Sequence, residues 1–214
     1  MNGALAGMVL LIIGDSHVTF MLPSLHEALI QQGAQVNSYG MCGAMADDWT
    51  NRTTSSCKAE RHGAAPATIS AKLEPTYSAA ELLDQIHPNL AVVVLGDNMA
   101  GYGTTPTLPR AMITEQVNRL TGMITARHVP CVWVGPIWGQ ANSVYQKTDA
   151  RVAEMAQFLS QTVAPCTFID STKFAKPGEL PTKDGEHLTP AAYKFWGQAI
   201  ADAIVRLKGQ NILH

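Results

Sequence analysis

Charge is scarce in this 214-residue chain: Asp, Glu, Lys and Arg make up 15% of it, and the net charge at neutral pH is -2. With no excess of basic residues there is no electrostatic footprint for nucleic acid. No apolar run approaches the roughly 18 residues that a membrane span needs. The four cysteines, at 42, 57, 131 and 166, form no Cys-x-x-Cys pair, which excludes a zinc ribbon and a thioredoxin-type redox motif. Neither a glycine-rich dinucleotide fingerprint nor a P-loop is present, which disfavours a flavodoxin-like cofactor binder. His26, His62, His87, His128 and His214 show no metal-ligand spacing and read as structural or solvated. Repeats, linkers and low-complexity tracts are missing as well. The chain reads as one domain, residues 1–214, with a polar, irregular insertion at about 44–75.

What is present is a hydrophobic fraction of 46%, enough for a sizeable core. The opening segment MNGALAGMVLLII lacks a positive flank and a cleavage site, so its second half reads as a strand, not a signal peptide. Cys42 and Cys57 bracket a polar stretch, CGAMADDWTNRTTSSC, that a disulfide would close in an oxidising compartment. Cys131 and Cys166 each follow a proline and open a short apolar run. If those runs are neighbouring parallel strands in register, the thiols are close; two buried free cysteines are the alternative. The first pair favours an extracytoplasmic setting, periplasmic or secreted, with the export signal absent from this sequence; a cytoplasmic setting is the alternative.

Apolar runs alternate with helical patterns. Strands are expected at 8–13, 34–38, 89–96, 130–135 and 166–170. Helices are expected at 22–33, 78–86, 108–128, 149–162 and 189–209, with Ser78 and Thr189 as N-caps and Gly33 as a stop. The continuous run NLAVVVLG fits a central parallel strand buried on both faces. This alternation predicts an α/β fold with a parallel sheet covered on both sides. Right-handed crossovers then gather every strand's carboxyl end on one edge, where ligands bind.

The residues just past those ends carry chemistry. In LLIIGDSHVTF the first strand runs into Gly14, Asp15, Ser16 and His17. Gly40 and Gly43 follow the second strand, Gly96, Asp97 and Asn98 the third, and Asp184 and His187 precede the last helix. This is an inventory for acyl transfer through a serine. Ser16 needs a base, and the imidazole of His187 titrates near the working pH. Asp184 can fix the tautomer of that imidazole. The developing oxyanion needs donors, which the Asn98 amide and the Gly43 and Ser16 backbone N–H groups can supply. Trp138 and Tyr102, in loops opening on the same edge, are candidate substrate contacts. Trp49, Trp133 and Trp196 read as core, Asp47 and Asp48 as solvent-facing, and His17 as a surface or pocket-rim residue.

These blocks resemble those of the SGNH, or GDSL, hydrolase family over residues 9 to about 205. Ser16 in GDSH matches the nucleophile block, Gly43 in GMCGA the glycine block with Gly40 as its rival, Asn98 in GDN the Gly-x-Asn block, and Asp184 with His187 in DGEHL the Asp-x-x-His block. Two departures are His17, where the family often has Leu, and Met99, where it often has Asp. GDSH resembles the variant in SGNH domains acting on acyl groups of cell-envelope polysaccharides. The resemblance implies a three-layer α/β/α sandwich on a five-stranded, flavodoxin-like parallel sheet, a serine-ester mechanism, and neither metal nor cofactor. The expected activity is removal of short acyl groups, O-acetyl foremost, from a carbohydrate or similar small-molecule or polysaccharide ester. Transfer of the acyl group to a polysaccharide hydroxyl is the first alternative, and a non-catalytic glycan-binding module the second.

Overall fold

The computed structural model describes residues 3–141 and 144–213; His214 lies outside them. Five strands run parallel: β1 (Val9–Gly14), β2 (Gln35–Met41), β7 (Leu90–Val94), β8 (Cys131–Val134) and β9 (Thr167–Ile169). Their order across the sheet is β2-β1-β7-β8-β9. The chain therefore reverses its winding direction beside β1, and the crevice of a doubly wound sheet opens there.

Side chains alternate across each strand, so each strand feeds two cores. Leu10, Ile12, Val92 and Val94 pack on one face with Leu25 and Ile200. Those two come from α1 (Ser16–Gln31) and α5 (Pro190–Gly209). Leu11, Ile13 and Val93 pack on the other face with Leu82, Val117 and Met155. These belong to α2 (Ala79–Ile86), α3 (Arg110–Thr125) and α4 (Asp149–Thr162). The result is three layers. Ile200 is fully buried, and truncating such a side chain to Ala costs about 2–5 kcal/mol.

Segment 44–75 departs from the irregular loop that its polarity suggests. It forms β3 (Thr54–Ser55), β4 (Lys58–His62), β5 (Thr68–Ser70) and β6 (Glu74–Pro75). β4 pairs antiparallel with β2, and β5 with β4, so the five parallel strands gain two antiparallel ones at one edge. β3 and β6 form a separate small ribbon. The Cys42–Cys57 disulfide closes the turn between β2 and β4. The Cys42 N–H also donates to the Cys57 carbonyl at 2.8 Å. Cys131 and Cys166 are joined as well, across adjacent strands paired with Val132 opposite Thr167. Among the described residues no helix is long and apolar enough to cross a membrane.

Helix α1 starts at Ser16, six residues before its expected start, and carries Pro23 inside it. Asp15 explains the early start. Its carboxylate accepts from the His17 N–H at 2.9 Å and caps the first turn immediately after the strand. Asp47 and Asp48 lie at the surface but are tethered: the Asp47 side chain, 42% exposed, has Arg119 Nη1 at 2.8 Å, and the half-buried Asp48 accepts from the Met45 N–H at 2.8 Å.

Candidate active site

The turn from β1 into α1 needs glycine at position 14. A Cβ there would lie 2.4 Å from the Val94 carbonyl oxygen and from a Val18 methyl. With Asp15 taking the capping role, the Ser16 hydroxyl is left for something else. It meets Nε2 of His187 at 2.9 Å.

His187 is delivered by a tight reversal, 182–188, just before α5. An isolated bridge joins Thr182 to Leu188, and the Lys183 N–H donates to the His187 carbonyl at 2.7 Å. Gly185 takes the turn at φ +94°, a region other residues avoid. Across this turn Asp184 Oδ2 accepts from His187 Nδ1 at 2.7 Å, and its Oδ1 accepts from the His187 and Glu186 backbone N–H groups at 2.7 and 3.0 Å. A carboxylate against Nδ1 requires the proton there, which leaves Nε2 as the acceptor for the Ser16 O–H. Burial pushes the Asp184 carboxyl up, but the hydrogen bonds from His187 and Glu186 outweigh it and hold the group below the usual carboxylate range.

Asn98 closes the site from the β7 side. Its Nδ2 donates to the Ala44 carbonyl at 3.1 Å and more weakly to Asp15 Oδ2 at 3.4 Å. Three strand ends, after β1, β2 and β7, are thereby tied together beside Ser16. Gly43, adjacent to Ala44, sits at φ +75° with open space where a Cβ would point. Gly40 differs: a Cβ on it would lie 2.4 Å from the Thr19 backbone nitrogen, so it lets α1 pack against β2.

His17 is not at the surface or a pocket rim. It is 1% exposed, with Nδ1 2.8 Å from the Tyr193 hydroxyl and Nε2 2.8 Å from Asp97 Oδ2. Lys147 Nζ, fully buried, lies 2.6 Å from Asp97 Oδ1. The Asp97 contacts of both groups are close but poorly aligned as hydrogen bonds, so the attraction between Lys147 and Asp97 is chiefly one of charge. Burial pushes Asp97 up, but the charge of Lys147 outweighs it and keeps it ionised. Burial holds His17 below its ordinary value against the pull of Asp97, so it is neutral. Burial, reinforced by Asp97, raises Asp15 well above the carboxylate range and Glu186 to about 7. Ligand atoms of His17, Asp97 and Glu186 lie within 4.8 Å of one another, the composition of a metal site. The cluster fits a metal poorly, because the Lys147 ammonium already supplies its cation.

Tyr102 donates its hydroxyl to Asp97 Oδ1 at 2.9 Å and lies under the Lys147 ammonium, 5.6 Å from ring to nitrogen. It braces the buried cluster; its hydroxyl is turned inward. Trp138 is half-buried, and its indole N–H donates to the Thr172 and Ala175 carbonyls at 3.1 and 2.6 Å, which ties it to the turn after β9. Trp49, Trp133 and Trp196 are core residues, and His26 is buried between Ser38 and the Gly63 carbonyl. Reading strand ends alone overlooks two aromatic rings. Phe20 and Tyr145 both present edges to the His187 imidazole, at centroid distances of 5.2 and 5.7 Å. Phe20 was legible in principle, since it follows Ser16 by one helical turn.

No protein-family model matches the chain. Protein BcsX of Komagataeibacter xylinus is 44% identical to it over 209 residues, covering 95% of this chain and 79% of that one. Solved structures share its fold at low identity. An acylhydrolase described as putative, from Bacteroides fragilis, has a TM-score of 0.63 at 14% identity, over 94% of this chain and 88% of its own. A GDSL-like lipase from Bacteroides thetaiotaomicron has a TM-score of 0.61 at 13% identity, over 93% and 88%. A carbohydrate esterase family 3 protein from Talaromyces cellulolyticus has a TM-score of 0.61 at 13% identity, over 95% and 99%. The chain belongs to the BcsX family and is built on the SGNH, or GDSL, hydrolase fold.

Proposed function

We propose that the chain is a serine esterase that removes short acyl groups, O-acetyl foremost, from a carbohydrate. The observation that carries this reading is the continuous relay from Asp184 through His187 to Ser16, with contacts of 2.7 and 2.9 Å. His187 Nε2 takes the Ser16 proton as Oγ attacks the ester carbonyl. The carbonyl electrons pass to oxygen, and the oxyanion is met by the Ser16 and Gly43 backbone N–H groups and by Asn98, which gives up its bond to Ala44. Collapse breaks the C–O ester bond, and His187 returns the proton to the departing sugar hydroxyl. Water, deprotonated by His187, then attacks the acyl-serine and releases the carboxylate and Ser16. Asp184 holds the imidazole and stabilises its cationic form throughout.

The carbohydrate part of the reading draws support from the carbohydrate esterase among the structural neighbours. The two disulfides support an oxidising, extracytoplasmic setting. The test is turnover of p-nitrophenyl acetate and of acetylated oligosaccharides, with fluorophosphonate labelling of Ser16. Wild type should release acetate and be labelled, and Ser16→Ala should do neither. Equal acetate release by both proteins would refute the proposal. Acetyl appearing on an added oligosaccharide in place of acetate release would favour the transferase reading of the same machinery.

A further inference from the structure

One surface feature continues outward from the catalytic dyad. Helices α1 and α5 both begin at the catalytic edge, with Ser16 opening the first and Pro190 opening the second just after His187. They then run side by side in the same direction. Gly197 allows the close approach, since a Cβ on it would sit 2.7 Å from the Leu25 nitrogen. Above this contact lies a groove of about 300 Å³.

Its α1 wall is the face that starts with Ser16. Phe20, Pro23, Glu27 and Gln31 recur at helical spacing and line it. Its α5 wall is Pro190, Lys194 and Gln198, with the Tyr193 ring between the helices. From Phe20 to Gln31 the groove runs about 16 Å at the helical rise of ~1.5 Å per residue. Its inner end is the Phe20 ring, which is 45% exposed and lies edge-on to His187. Tyr145, 37% exposed, is a second ring near the imidazole, 5.7 Å from it centroid to centroid.

We infer that this groove binds the sugar chain of the ester substrate, a neutral oligosaccharide lying along α1 with its acylated unit at Ser16. The inference deepens the esterase reading above and rests on it. Three features select the ligand. The lining pairs apolar surface (Phe20, Pro23, Pro190) with amides (Gln31, Gln198), the combination that suits a ring with a carbon face and a hydroxyl edge. Its lining carries one ammonium, Lys194, and one carboxylate, Glu27, which Arg61 meets at 3.0 Å, so it lacks the cluster of cations that would hold a polyanion. The groove is much longer than a short acyl group and its Phe20 end lies 5.2 Å, ring to ring, from His187, so what it accommodates is the alcohol part of the ester.

The experiment is an NMR titration of the folded protein with neutral β-linked hexasaccharides of xylose, glucose and N-acetylglucosamine, and with a hexagalacturonate as the anionic control. At least one neutral hexamer should bind and shift the amide signals of α1 and α5. Lys194→Ala/Gln198→Ala and Phe20→Ala should each weaken that binding by about fivefold or more. Binding of no neutral hexamer, shifts confined to other surfaces, unaltered affinity in both variants, or preference for the galacturonate would overturn the inference. Fluorophosphonate labelling of Ser16 separates the two proposals. Labelled, ester-cleaving protein that binds no hexamer sinks the groove alone, whereas a bound hexamer with an inert Ser16 sinks the esterase reading.

Discussion

Lys147→Met tests whether a single buried cation holds the centre together. Lys147 is fully buried and 2.6 Å from Asp97, itself 3% exposed, with Asp15 and Glu186 as further buried acids nearby. Methionine keeps much of the volume and removes the charge. Taking one partner from a buried ion pair costs about 3–5 kcal/mol, because the other is left uncompensated. At a urea dependence near ~2 kcal/mol per molar, the unfolding midpoint should fall by about 2 M at pH 8. The loss should also depend on pH. In the native protein Asp97 is held low, a contribution present above its unfolded pKa and lost only as pH falls through the folded one. Without Lys147, burial raises Asp97, and a raised carboxyl loses stability as pH rises. The deficit at pH 8 should therefore exceed that at pH 5, and adding Asp97→Asn should recover part of it. Urea unfolding followed by tryptophan fluorescence measures both. A deficit below about 1 kcal/mol at pH 8, or equal deficits at the two pH values, would refute the reasoning.

Other expectations follow from individual contacts. Asn98→Ala should lower kcat on nitrophenyl acetate by about 10²–10³ with little change in KM, and a drop below tenfold would remove it from the oxyanion site. Glu186, raised by burial to about 7 from 4.5, favours the folded state fully below about pH 4.5 and loses that contribution as pH rises through about 7. Glu186→Gln should thus gain about 3 kcal/mol on wild type between pH 4.5 and 8, read from unfolding midpoints. Gly40→Ala, which meets the Thr19 backbone, should destabilise the fold and cut turnover, while Gly43→Ala should cost only about 1–2 kcal/mol from its positive φ; melting curves of both distinguish the two glycines. Removing the Cys131–Cys166 bridge, whose ends are 35 positions apart in sequence, should cost ~4 kcal/mol, against ~3 for Cys42–Cys57, 15 positions apart; the reverse order in urea would contradict loop entropy as the cause.

The fold was legible where physics is local. Helix α4, Asp149–Thr162, coincides with its pattern, and Ser78 caps α2 with Glu81 returning the bond, as the spacing implies. Legibility failed where long-range contacts decide. β4 and β5 have little apolar alternation, with most side chains half-buried or exposed, so no period-2 signal marks them. Their pairing is set by β2 and by the disulfide at the turn, neither of which is a local property. The start of α1 was obscured by Pro23, which reads as a first-turn residue; Asp15 makes the helix start earlier and leaves Pro23 inside it.

The site divides along the same line. Ser16, Asn98, Asp184 and His187 each sit beside a strand end or a helix start, so a doubly wound sheet must bring them to one edge whatever else the sequence does. The layer beneath them has no such rule. Asp97 reads as a spacer between Gly96 and Asn98, and Lys147 lies fifty residues further on in a polar loop. Only the folded structure reveals that the two form a buried ion pair. Yet that pair has a consequence at the surface. Asp97 adjoins Asn98 in the chain and receives Tyr102, Lys147 and His17, so the loop that carries Asn98 is anchored through three side chains. The anchoring explains why the departures at His17 and Met99 are compatible with the four blocks. His17 turns inward to Asp97 and Tyr193, Met99 is buried, and the Ser16 hydroxyl keeps its path to His187.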